Sequence, residues 1–138
     1  MTVQNRVYVA LDRAALRRLA TVGRLEPAPF TAYAVTTDLR REHPNADDEE
    51  LEYLAFTDAA SEAATAAAAG RPARVVAAAD VDADLLTDLL EPGAPVSAVR
   101  VAAAVPRRHV ASFHVADEAA DHAWYDATEL DVVIDLLA

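Results

Sequence analysis

Residues 6–23 read "RVYVALDRAALRRLATVG", and their periodicity changes at Asp12. Before it, Val7, Val9 and Leu11 alternate with Arg6, Tyr8 and Ala10, the period of a strand with two different faces. Asp12 is a good helix N-cap, and Leu11 and Leu16 stand where a hydrophobic staple would clamp the first turn. Leu16, Leu19 and Ala20 then carry one apolar helical face as far as Gly23, a C′ glycine. A two-faced strand feeding directly into an amphipathic helix predicts a layered domain rather than a bundle or a sandwich.

The rest of the chain repeats the alternation. "FTAYAVT" predicts a second strand, and "DLRREH" one or two helical turns that stop before Pro44. Asn45 is placed to cap the longest helix, "NADDEELEYLAFTDAASEAATAAAAG", whose acidic first turn suits the helix dipole. On that helix Tyr53, Phe56, Ala60, Ala63, Ala64 and Ala67 form one smooth face, and Leu51, Leu54 and Ala55 another that continues into Asp58 and Glu62. "ARVVAAADV" predicts a third strand. "DADLLTDLL" predicts a short helix capped by Asp82, with Val81 and Leu86 as its staple, and Pro92-Gly93 a turn. "PVSAVRVAAAV" and "HVASFHV" follow as strands, the latter with Val110, Ser112 and His114 on one side and Ala111, Phe113 and Val115 on the other. "ADEAADH" reads as a single helical turn and "AWYD" as a short extended piece. Asp126 caps the terminal helix in a capping box with Glu129, with Tyr125 and Leu130 as staple. No repeat or linker interrupts residues 1–138, which predicts one α/β (α+β) domain with a mixed sheet of about five or six strands packed with helices.

Composition excludes many chemistries. The chain of 138 residues has a formal net charge of −11, and all twelve of its basic residues are Arg. An acidic surface argues against nucleic acid as a partner. Without Lys there is no Schiff-base, P-loop or kinase-type lysine. Without Cys there is no disulfide, thiol nucleophile or Cys-zinc site. Three glycines do not assemble a dinucleotide-binding, P-loop or nucleophile-elbow motif. The absence of a long apolar run and of a signal-peptide pattern leads to the expectation of a cytoplasmic protein without membrane contact.

Several constellations resemble sites. Asp80, Asp82, Asp84, Asp88 and Glu91 match the acidic positions of an EF-hand loop, but Leu85 stands where that loop needs Gly and a strand precedes it. The same D-x-D after a strand resembles a haloacid-dehalogenase-type nucleophile motif, which the lack of lysine excludes. His109, His114 and His122 lie among Asp117, Asp121 and Asp126. Of these, His114, Asp117, Asp121 and His122 are the conceivable metal ligands, although their spacing matches no metal motif. Ser112 and His114 share a strand face without an evident orienting group. Asp58 and Glu62 form a coupled acid/base pair if their face of the long helix is buried, and a solvated surface otherwise. Arg13, Arg17 and Arg24 fall within about 40° on a wheel of about 100° per residue. Pairing with the acidic start of the long helix is their simplest role, with an anion-binding patch as the alternative. The only Trp, Trp124, is expected to seal the layer between sheet and helix, with a ligand-stacking platform as the alternative.

"RVYVAL", "TAYAVT", "EELEY" and "WYDATEL" together resemble an uncharacterised family of small actinobacterial proteins, a domain of unknown function, from residue 6 to about residue 130. The resemblance implies a cytoplasmic single-domain protein from a high-GC bacterium and carries over no catalytic residue. The residues therefore predict a non-enzymatic binding or regulatory module acting through protein contacts. A small metal-dependent hydrolase using the His/Asp cluster near residues 109–126 is the alternative. Tyr8, His114, Trp124, Tyr125 and Asp126 are the candidate ligand or interface residues. No cofactor is implied. Val132 and Leu136, roughly opposite Leu130 and Ile134 on the terminal helix, raise the expectation of a homodimer or a protein partner.

Overall fold

The computed structural model describes residues 3–68, 75–116 and 122–137. Strand β1 (Gln4–Leu11) leads into helix α1 (Arg13–Val22). Asp12 caps α1 by accepting from the Ala15 N–H at 2.8 Å. Gly23 ends it at φ 86°, in the left-handed region, and its N–H donates to the Leu19 carbonyl. A two-residue strand β2 (Arg24–Leu25), strand β3 (Phe30–Ala34) and helix α2 (Thr37–Glu42) follow. Helix α3 (Asp48–Ala68) is the longest. Asp47 caps it rather than Asn45, accepting from the Glu50 N–H at 2.8 Å.

Strands β4 (Val75–Asp82), β5 (Leu86–Asp88), β6 (Ala98–Val101), β7 (Val105–Pro106), β8 (Val110–Ala116) and β9 (His122–Asp126) come next. Helix α4 (Leu130–Leu136) follows. The layered class is the expected one, but the sheet is wider. Seven strands run in the order β5-β6-β3-β1-β4-β8-β9, with every pairing antiparallel, and β2-β7 form a separate two-stranded sheet.

The segment expected as a helix after Asp82 is instead a 3-10 turn, Ala83–Leu85, followed by edge strand β5. Asp82 makes no capping bond. Leu86, Thr87 and Asp88 pair with Val101, Arg100 and Val99 of β6, so pairing overrides a local pattern that suits either element. Gly70 and the expected turn at "ADEAADH" lie largely or wholly outside the described residues.

Side-chain alternation divides the sheet into two faces. Val7, Val9, Leu11, Ala32, Val75, Val99, Val101, Phe113 and Val115 join Leu16 and Leu19 of α1 and Leu130, Val133 and Leu137 of α4 in one buried cluster. On the other face Tyr8, Tyr33, Val76, Ala78 and Ala98 meet Ala55 and Ala59 of α3. The alanines on both sides let α3 approach the sheet closely. A bulge at Ala111 breaks the expected alternation of β8, because Ala78 pairs with Ser112 while Ala79 pairs with Val110. The extra residue returns Val110 to the α1–α4 core, whereas Ser112 and His114 stay on the α3 face. On α4, Val132 and Leu136 remain 47% exposed.

Candidate functional site

On α3, Leu51, Ala55, Ala59 and Ala63 are the residues buried, not the face led by Tyr53. Asp58 therefore lies at the boundary and accepts a hydrogen bond from the buried Ser97 hydroxyl at 2.6 Å. Glu62 accepts one from the Tyr33 hydroxyl at 3.3 Å. The two carboxylates thus accept from hydroxyls on different strands and loops of the sheet layer, Tyr33 and Ser97. Burial and Glu62 push the Tyr33 phenol up to about 12.

One turn further toward its start, α3 leans over β1, β4, β8 and β9 and leaves an open groove of about 470 Å³. Five elements line it. Strand β1 supplies Arg6 and Tyr8; α3 supplies Glu49, Glu52, Tyr53 and Phe56; β4 supplies Ala78; β8 supplies Ser112 and His114; and β9 supplies His122 and Trp124. A larger hollow along Arg13, Arg17 and Arg18 is lined by α1 and its cap alone. With one element for a wall it is a helix surface rather than a site.

Phe56 is the centre of the groove. Its ring lies 5.1 Å from that of His114 and 5.1 Å from that of His122, with Tyr8 edge-on at 5.9 Å and Tyr53 at 6.3 Å. These separations are those of favourable edge-to-face and offset ring pairs. Beside them Ser112 Oγ and His114 Nε2 are hydrogen-bonded at 3.0 Å. Burial, then His122 and Arg6, lower the His114 pKa from its ordinary value, so the ring is neutral near pH 7. A neutral imidazole against a hydroxyl has the makings of a general base and a nucleophile. Among the described residues, however, no side chain hydrogen-bonds the second ring nitrogen and orients it. Arg6 makes a two-point contact with Asp80, at 2.8 and 3.2 Å. Burial and nearby Glu52 raise the Tyr8 phenol.

Trp124 does not plug the core. It is 62% exposed on the groove rim. The register explains this: β9 pairs Trp124 with His114 and Tyr125 with Phe113. Trp124 thus shares the groove face, and Tyr125 packs against the α1–α4 core. Asp126 is a cap, as its spacing from Glu129 indicates. Its carboxylate accepts from the Thr128 N–H at 2.9 Å, and its own N–H donates to Glu129 at 3.0 Å. These bonds begin a 3-10 turn, Ala127–Glu129, that enters α4. The Thr128 bonds also hold the exposed carboxyl below its ordinary pKa.

Of the candidate residues, Tyr8, His114, His122 and Trp124 converge, whereas Tyr125 and Asp126 serve the core and the helix end. Asp117 and Asp121 lie outside the described residues. Among the described residues, no group of three or more His, Asp or Glu side chains is arranged to hold a metal ion. The acidic residues from Asp80 to Glu91 are spread along β4, a turn, β5 and the loop after it. Asp80 is engaged by Arg6, and Glu91 lies 3.9 Å from Arg100. Arg24 is on β2 and pairs with Glu26, and it is Arg40 of α2 that reaches the start of α3, at Asp48. Sequence reasoning passed over Phe56 and Tyr53, whose spacing of three matched an ordinary packing face, and over Arg6, whose partner is 74 residues away.

The chain belongs to a family of unknown function, DUF6912. The family's model matches residues 5–131, a span that contains every side chain of the groove. Neither a curated protein nor a solved structure matches the chain. No helix among the described residues is long and apolar enough to cross a membrane.

Proposed function

We propose that this DUF6912 member is a binding module whose ligand enters the groove between α3 and the β1-β4-β8-β9 side of the sheet. The observation that carries this reading is the exposure of Trp124. The largest side chain of the protein stands 62% exposed on a concave surface, beside a core that accepts its neighbour Tyr125. Leaving so much apolar surface in water is unfavourable by about 25 cal/mol per Å². A ligand stacked on the ring removes that exposure. A few polar groups set among aromatic walls are the usual makeup of a small-molecule site, and here Ser112, His114 and the Tyr8 hydroxyl supply them.

The test uses the indole N–H of the only Trp, a single resonance in a proton–nitrogen correlation spectrum. Small soluble aromatic and aliphatic probes are titrated into the full chain. Binding in the groove shifts the Trp124 indole signal together with backbone signals of Tyr53, Phe56 and His114. Probes that bind only elsewhere, or a groove that no probe perturbs, would refute the reading.

A further inference from the structure

We infer that the ligand of this groove is a small organic cation, a quaternary or protonated amine, held by aromatic rings and by the carboxylates of Glu49 and Glu52. The inference rests on the groove being a binding site and adds the charge of what it binds. The only cationic side chain among the groove-lining Arg and Lys residues is Arg6, and its guanidinium is bonded at two points to Asp80. The positive charge there is therefore already answered. Glu52 and Glu49, about one and two helical turns before Phe56, make no ion pair among the described residues, and Glu52 reaches Arg6 only through its charge at longer range. Both line the groove.

The walls agree with this sign. Trp124 and Tyr53 are exposed at 62% and 67%, and ring faces attract a cation electrostatically. An anion would meet two carboxylates on an acidic chain. A neutral ligand would use the rings and leave the carboxylates without a role. The groove, at about 470 Å³, is within the size range of small-molecule sites.

The test compares choline with its uncharged carbon isostere, neohexyl alcohol, and with benzoate, at low ionic strength on the full chain. Trp124 emission and the Trp124 indole N–H are the readouts. Choline is expected to bind about fivefold more tightly than the alcohol, the preference that a cation over exposed rings supplies, and benzoate more weakly than either. Glu52→Gln, and separately the more exposed Glu49→Gln, should each reduce the preference for choline while leaving the affinity for the alcohol unchanged. The second variant keeps the test decisive if the first perturbs the fold. Equal binding of choline and the alcohol, or a preference for benzoate, overturns the inference but leaves the groove as a binding site. Failure of every probe to move the Trp124 signals overturns both.

Discussion

The two faces of the sheet are built from the same strands yet differ in almost every respect. The face toward α1 and α4 is filled by Val, Leu and Phe, with Phe113 only 1% exposed at its centre. The face toward α3 carries small alanines where the helix rests. Beyond the helix it carries Arg6, His114 and Trp124, with the buried Tyr8 and Ser112 on the groove floor beside them. One helix does not cover a sheet of this width, so the uncovered part is where polar and aromatic groups reach solvent. The contrast teaches that stability and recognition are separated by the pleat: adjacent residues on one strand, such as Phe113 and His114 or Tyr125 and Trp124, serve different ends.

The largest expected effect tests the packed face. Phe113→Ala should cost about 3–5 kcal/mol, the range for a fully buried aromatic. Phe56→Ala, on the half-covered face, should cost about 1–2 kcal/mol, in line with partial burial. Urea denaturation followed by far-UV circular dichroism measures both. Equal costs would break the distinction between the faces.

A smaller effect sharpens the description of the groove. Burial holds His114 below its ordinary value of 6.5, so the unfolded chain takes up this proton first as pH falls. The associated stability is full above 6.5 and is lost as pH falls from there through the lower folded-state value. His114→Gln should therefore show a flatter decline in urea midpoint below 6.5 than the wild type. A parallel decline in the two proteins would mean that His114 is not desolvated in the groove.

Much of the fold is legible in the sequence wherever the signal is local. The alternation of β1, the Asp12 cap, the Gly23 terminus and the Asp126–Glu129 capping box are decided by neighbours in the chain. The site is less legible because it depends on pairing. Alternation in "AWYD" shows that Trp124 and Tyr125 face opposite ways, but only the register of β9 on β8 decides which meets the core. The bulge at Ala111 reverses Val110 relative to Ser112, and no residue type announces it. "LLTDLL" satisfies helix and strand alike until β6 is beside it. The buried stripe of α3 was ambiguous for a similar reason: two faces were smooth enough, and the sheet chose the one through Leu51, Ala55, Ala59 and Ala63.

The most direct test of this division is a pair of neighbouring substitutions, Trp124→Ala and Tyr125→Ala, compared by urea denaturation with far-UV circular dichroism. Trp124→Ala should cost no more than about 1 kcal/mol, because most of the ring is already in water. Tyr125→Ala should cost about 2 kcal/mol or more, since it removes packing from the α1–α4 core. A Trp124→Ala protein destabilised as much as Tyr125→Ala, or more, would mean that Trp124 is held by the fold rather than kept open for a ligand.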